Sequence, residues 1–218
     1  MVRVVASKTI GSGALNSLIV DKLTGVRGQR VLFRDLSFRV AAGQVLSLEG
    51  PNGIGKSSLL RMIAGFLTPA AGEIALAFAD IVLDEAEARA RQIGWLGHHD
   101  GAKPQMSPRE VLRFFARLYG SDGDIAAALE AMGLARVADL PCQYLSAGQK
   151  KRLALARLKL SGRPLWLLDE PLAALDAEGK KRASEMLAAH ALYGGIAIAA
   201  THEPLGIESA RLMLGAPG

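Results

Sequence analysis

"VLSLEGPNGIGKSSLLRMIAGFL", residues 45–67, decides the architecture. Val45 to Glu49 is a short, mostly apolar run and reads as a strand. Leu59 to Leu67 carries apolar residues at helical spacing and stops before Thr68-Pro69. Between them lies G-x-x-x-x-G-K-S. Strand, glycine loop and helix is the context in which that spacing binds phosphate. Glycines let successive backbone N–H groups turn inward around an anion, and the helix N-terminus adds partial positive charge. Gly50, Pro51, Asn52, Gly53, Ile54, Gly55, Lys56, Ser57 and Ser58 are therefore the candidate phosphate-binding residues. Lys56 is expected to reach the β- and γ-phosphates. The Ser57 hydroxyl is expected to ligate Mg²⁺, a hard cation that takes oxygen ligands.

Two later runs supply polar groups for the same edge. "PLWLLDE" at 164–170 is a buried strand that presents Asp169 and Glu170 at its end. Asp169 suits Mg²⁺ through a water. Glu170 is placed to polarise a water for attack on a γ-phosphate. "GIAIAATH" at 195–202 is a second such strand and ends in His202. A lone histidine is more often structural. Here it reaches the edge of a parallel sheet where ligands bind, and this convergence argues for contact with the γ-phosphate and the attacking water. Asp176, in "PLAALD", reads by itself as a helix cap.

The remaining pattern fits an α/β fold with a mostly parallel central sheet. "LIVDKLTGV" and "VLFRDLSFRV" alternate as strands, and "IGWLG" at 93–97 is strand-like. The charged segment 84–92 is expected at the surface. From Ser107 to Leu160 three helices are expected, interrupting the sheet as an inserted lobe at about 99–160. The first opens on Ser-Pro and should place Val111, Leu112, Phe115 and Leu118 on one side. A further helix is expected over 178–192.

Composition limits the rest. The chain has 218 residues, half of them apolar and 22% charged, which is enough for one sizeable globular domain and is not a disordered composition. No apolar run approaches the roughly 20 residues of a spanning helix. Residues 1–17 are basic, lack acids and have no signal-peptide core, so they are read as a loose extension, with the domain over 18–218. The single cysteine, Cys142, excludes an internal disulfide. A net charge of +5 is compatible with an anionic partner but does not select one.

"YLSAGQKKR" at 144–152 opens the third helix of the lobe. Leu145, Ser146, Ala147, Gly148 and Gln149 make a small turn with no nucleophile and no metal-ligand spacing. Ser146 to Gly148 form a second anion-ready helix start. It acts on the same chain's nucleotide if the lobe folds over, or on that of a second copy in a two-fold dimer. In family order, these motifs resemble those of the ATP-binding cassette (ABC) ATPases over about residues 18–216. "GPNGIGKS" resembles Walker A, "LSAGQ" the signature, "LWLLDE" Walker B with the catalytic glutamate, "LAALD" the D-loop with Asp176, and "TH" the switch histidine. The resemblance implies an ABC-type nucleotide-binding fold with an N-terminal antiparallel β-subdomain, ATP and Mg²⁺ as cofactors, and a signature that works in trans on a partner copy's ATP. Two positions depart from the pattern. Arg27 stands where an aromatic residue usually stacks on adenine, and His98 stands at the usual glutamine of the Q-loop.

"WLGHHDGAKPQMSPREVLRFF" and "THEPL" look, within that family, like the haem-exporter ATPase subunit of bacterial cytochrome c maturation. This implies a separate multi-span membrane subunit as partner and a peripheral place on the cytoplasmic face of the inner membrane. The alternative is the ATPase of another exporter, for drugs or lipids. A nucleic-acid-associated cassette protein fits less well, because no heptad run separates Lys56 from Asp169 and only one cassette is present. No nucleic-acid partner is expected. A phosphate-loop kinase would leave "LSAGQ" without a task.

Overall fold

The computed structural model describes residues 14–97 and 101–215. His98 and all but the last few residues of the N-terminal extension therefore lie outside the described residues. The chain opens with an antiparallel hairpin, β1 (Leu15–Arg27) and β2 (Arg30–Ala41), then enters β3 (Val45–Glu49) and α1 (Lys56–Ile63). β4 (Ala71–Phe78) returns to pair with β1, and β5 (Val82–Leu83) pairs with β4. α2 (Ala86–Ala90) and β6 (Ile93–Leu96) follow. Three helices come next: α3 (Pro108–Tyr119), α4 (Ile125–Ala131) and α5 (Ala147–Leu160). β7 (Leu165–Asp169), α6 (Ala177–Leu192), β8 (Ile196–Ala200) and β9 (Ala210–Met213) complete the order.

Among the described residues these strands make two sheets. One is antiparallel in the order β2-β1-β4-β5. The other is parallel in the order β6-β7-β8-β3-β9. The central strands β3, β7 and β8 are buried on both faces, as near-continuous apolar runs require. In β7, Leu165 and Leu167 face a core shared with α1 and the antiparallel sheet. Trp166 and Leu168, one residue out of phase, face a second core shared with α3, α4 and α5. The parallel sheet is thus a wall between two cores, and its strand ends are fixed from both sides.

Three expectations need correction. β1 begins at Leu15, so residues 15–17 are strand and not extension; Leu15 and Ser17 are buried in the sheet. Segment 84–92 is not all surface, because Arg89 is buried and donates to the carbonyl oxygens of Ile74 and Asp84. In α3 the buried residues are Pro108, Val111, Leu112 and Ala116, while Leu118 is 65% exposed. At about 100° per residue, Leu118 falls roughly 90° round from the centre of that stripe. β4, β5 and β9 escaped the sequence reading. β4 buries Ile74, Leu76 and Phe78 in alternation, but Ala and Gly dilute the signal. β5 is two residues long, and β9 is a short, largely exposed edge strand.

Candidate nucleotide-binding and catalytic site

β3, β8 and β7 are neighbours in the parallel sheet, so their carboxyl ends open onto one edge. β3 feeds the glycine loop, β7 ends at Asp169 and β8 leads to Thr201 and His202. The sheet order therefore brings together groups more than a hundred residues apart. One pocket of about 510 Å³ is lined by Asn52, Gly53, Gly55, Lys56, Ser57, Ser58, Asp169 and Glu170.

Lys56 is buried, and its ammonium donates to the carbonyl oxygens of Gly50 (2.6 Å) and Pro51 (3.3 Å). The cation is thus held within the loop. Gly50 has φ 138°, and a Cβ there would come within 2.6 Å of the Leu214 carbonyl oxygen. This position needs glycine because the backbone after β9 passes so close, besides any need of the phosphate. Ser57 donates its hydroxyl to Asp169 Oδ1 at 2.9 Å. The hydroxyl and the carboxylate form an oxygen-only pair on the pocket wall, and that donor chemistry fits Mg²⁺. Among the described residues no group of three or more His, Cys, Asp or Glu is arranged to hold a metal ion by itself. An ion here would complete its shell with phosphate oxygens and water.

Consecutive residues of a strand point to opposite faces, yet Asp169 and Glu170 both line the pocket. Glu170 adopts φ 51°, left-handed and uncommon for a side chain of this kind, which turns the chain as β7 ends. Its N–H still donates to the Ala200 carbonyl, which ties the turn to β8. His202 Nδ1 lies 3.0 Å from Glu170 Oε2. The loop that carries His202 is fixed by Thr201, whose hydroxyl donates to the Glu203 carbonyl and accepts from the Glu203 N–H. Glu203 also pairs with Lys180 of α6. So Ser57, Asp169, Glu170 and His202, each singled out in the sequence, form two linked pairs.

The signature turn is elsewhere. Among the described residues that line the pocket, none comes from 145–149. Ser146 and Gln149 form a reciprocal capping box at the start of α5, at 2.8 and 3.1 Å. Gly148 has an intrachain reason to be glycine, since a Cβ would meet the Ala174 carbonyl oxygen at 2.8 Å. Asp176 caps α6 by accepting from the Gly179 N–H at 2.8 Å.

Two features of the site were missed in the sequence. Lys151 of α5 donates to the Asp169 carbonyl oxygen at 3.4 Å. Burial pulls its ammonium below the ordinary lysine value, and the charges of Asp169 and Glu170 partly oppose this. Arg30 lines the nucleotide pocket together with Arg27 and Leu32. For Lys151 only its side of α5 held a signal. For Arg30 none existed without the hairpin pairing.

Comparison with known proteins gives the family. The ABC transporter family model matches residues 33–173. The cytochrome c biogenesis ATP-binding export protein CcmA of Rhodopseudomonas palustris strain BisB5 is 47% identical over 192 residues, covering 88% of this chain and 94% of the relative. That of Brucella abortus strain 2308 is 45% identical, covering 88% of each. Among solved structures, an ABC transporter ATP-binding protein from Pyrococcus furiosus shares the fold at TM-score 0.77 and 24% identity, covering 91% of this chain and 97% of that one. The chain belongs to the ABC transporter family, as a CcmA-like ATPase.

Proposed function

We propose that this chain is the ATP-hydrolysing subunit of a cytochrome c biogenesis export complex, and that it couples ATP hydrolysis to a separate membrane-spanning partner. The observation that carries the chemistry is the pairing of Ser57 with Asp169 and of Glu170 with His202 at one pocket edge. The curated CcmA relatives carry the assignment to cytochrome c biogenesis through their names.

In this reading the glycine loop and Lys56 hold the phosphates. Ser57 and Asp169 hold Mg²⁺, which would offset charge on the terminal phosphates. Glu170 accepts the proton of the attacking water or orients it. His202 holds the Glu170 carboxylate in place and contacts the γ-phosphate. The signature residues 145–149 act on ATP bound by a second copy, and Asp176 lies on the loop facing that copy. No helix among the described residues is long and apolar enough to cross a membrane. Association with the cytoplasmic face of the inner membrane would therefore run through the partner.

The test is co-purification from membranes together with turnover. The tagged chain should bring down a multi-span protein and hydrolyse ATP, and Lys56→Ala should abolish hydrolysis. A chain that hydrolyses ATP but recovers nucleic acid in place of a membrane protein would overturn the transport reading.

A further inference from the structure

Of the four paired residues at the site, His202 is the most exposed. Its side chain is 66% accessible, and among the described residues its one polar contact is Glu170 Oε2 at 3.0 Å. A side chain with so little packing of its own takes its place from the backbone beneath it. That backbone leaves β8 at Ala200, and both ends of the next stretch are fixed. Thr201 is buried, and its N–H donates to the Leu48 carbonyl oxygen of β3 at 3.3 Å. Leu205 is buried in the core shared with α5 and α6. His202 rides between these anchors, so the middle of the stretch decides where the imidazole stands.

The middle is held from α6. Lys180 lies in the first turn of that helix, where its own N–H donates to the Asp176 carbonyl oxygen at 2.9 Å. Its ammonium pairs with Glu203 Oε2. One turn on, Ser184 donates to the Leu205 carbonyl oxygen at 2.6 Å, with the Lys180 carbonyl oxygen as a second acceptor at 2.9 Å. The loop lies so close to α6 that a Cβ on Gly206, at φ 72°, would meet Ser184 Oγ at 2.9 Å. Glu203 in turn closes on Thr201. Its N–H donates to the Thr201 hydroxyl at 3.1 Å, and that hydroxyl donates to the Glu203 carbonyl oxygen at 2.9 Å. The chain on either side of His202 is therefore tied, to β3 before it and to α6 after it.

As a source of stability the Lys180–Glu203 pair counts for little. Both side chains keep contact with solvent, which screens their attraction. Burial of Leu205 and the sheet hydrogen bonds keep the loop folded without it. What the pair adds is direction, because it stops the residue after His202 from swinging outward. Neither Lys180 nor Glu203 lines the nucleotide pocket. We infer that Lys180 and Glu203 are positioning residues for His202, an ion pair through which α6 holds the imidazole against Glu170. The inference rests on the reading of His202 as a contact of Glu170 and the γ-phosphate. It adds that the histidine is placed by a helix outside the pocket. Loss of the pair should then slow hydrolysis and spare ATP binding, the pattern of an interaction realised only in the transition state.

The test is single-turnover hydrolysis of labelled ATP by the full chain as purified from membranes, with ATP affinity by calorimetry and the urea midpoint read beside it. Lys180→Met and Glu203→Gln should each slow hydrolysis by about tenfold, the scale of a reacting group displaced by a fraction of an ångström. ATP affinity should stay within about twofold, and the urea midpoint should not move. Lys180→Arg keeps the cation and should retain most of the rate. In a chain that already carries His202→Ala, Lys180→Met should slow hydrolysis no further, since no imidazole is left to place. Equal slowing with and without the imidazole would mean that Lys180 acts by another route, and the inference fails. It fails equally if Lys180→Arg is as slow as Lys180→Met, if neither Lys180→Met nor Glu203→Gln slows hydrolysis, or if the urea midpoint falls along with the rate. If His202→Ala alone hydrolyses ATP at the unaltered rate, the reading of His202 beneath the inference is wrong, and the inference falls with it.

Discussion

Protonation of His190 should destabilise the chain at the end of the sheet remote from Asp169 and Glu170. His190 lies in α6, its ring stacked on Trp166 at 3.7 Å and 5°, with Nε2 3.2 Å from the Ile196 carbonyl oxygen. Burial lowers its pKa to about 4, and hydrogen bonds to the Ile196 and Pro164 carbonyls only partly oppose this. The attraction of an imidazolium to the indole face acts in the same opposing sense. Above pH 6.5 the folded and unfolded states are both neutral here, and nothing is lost. As pH falls from about 6.5 to about 4 the unfolded state takes up a proton that the folded state refuses, so stability falls. Below about 4 both are charged and the loss levels off. At 1.36 kcal/mol per pH unit the full loss is roughly 3 kcal/mol, about 2 of it by pH 5. The assay is urea unfolding by circular dichroism at pH 7.5 and pH 5, for the unaltered chain and for His190→Phe. Phenylalanine keeps the stack and loses the Ile196 hydrogen bond equally at both pH values. Carboxylates contribute to both proteins alike, so the difference between them isolates His190. If the two lose stability in parallel, burial of a neutral imidazole is not what this site does.

Three further outcomes follow from the site. Glu170→Gln should lower ATP turnover by roughly 10²-fold or more while ATP binding, read by calorimetry, persists; near-normal turnover would remove Glu170 from the role of base. Gly50→Ala forces a Cβ against the Leu214 carbonyl at a left-handed φ and should cost about 1–3 kcal/mol in urea unfolding, together with loss of nucleotide affinity; an unchanged midpoint would contradict the packing argument. Ser146→Arg and Lys56→Ala should each abolish turnover alone, yet a mixture that forms heterodimers should regain part of it, because one composite site then carries both lesions and the other carries neither. A demonstrably heterodimeric mixture that stays inactive would overturn action in trans.

What was legible in the sequence divides by the range of the cause. The loop from Gly50 to Ser58 was readable because its spacing and its flanking strand and helix are local. The Ser107 and Ser146 helix starts were readable too, since a capping box is closed within four residues. Asp169, Glu170 and His202 were readable as strand-end polar groups, but their pairing depends on β3, β8 and β7 lying side by side, which no local pattern dictates. Leu118 shows the limit of periodicity: it lies at the margin of the apolar face of α3, and the core that α4 and α5 build takes in Val111, Leu112 and Phe115 but not Leu118. Arg30 shows another limit. It becomes a pocket residue because the hairpin folds Arg27 back over the loop, and Arg27 alone was visible as a departure from pattern.

The turn after β7 joins catalysis to the signature within one chain. Glu170 sits at φ 51° and Ala174 at φ 65°, two left-handed side chains in a five-residue stretch. Such conformations persist only where surrounding packing over-determines them, at a cost of order 1–3 kcal/mol each. The Glu170 N–H is tied to Ala200, the Ala174 carbonyl lies against Gly148 of the signature, and Lys151, one turn further along α5, reaches the Asp169 carbonyl. The start of α5 therefore buttresses the backbone that orients the Glu170 carboxylate. If the signature acts in trans, a second copy's ATP at Ser146 would press on a helix already in contact with the left-handed turn of its own chain. Each site would then register occupancy of the other through Gly148 and Lys151, which touch the turn that carries Glu170.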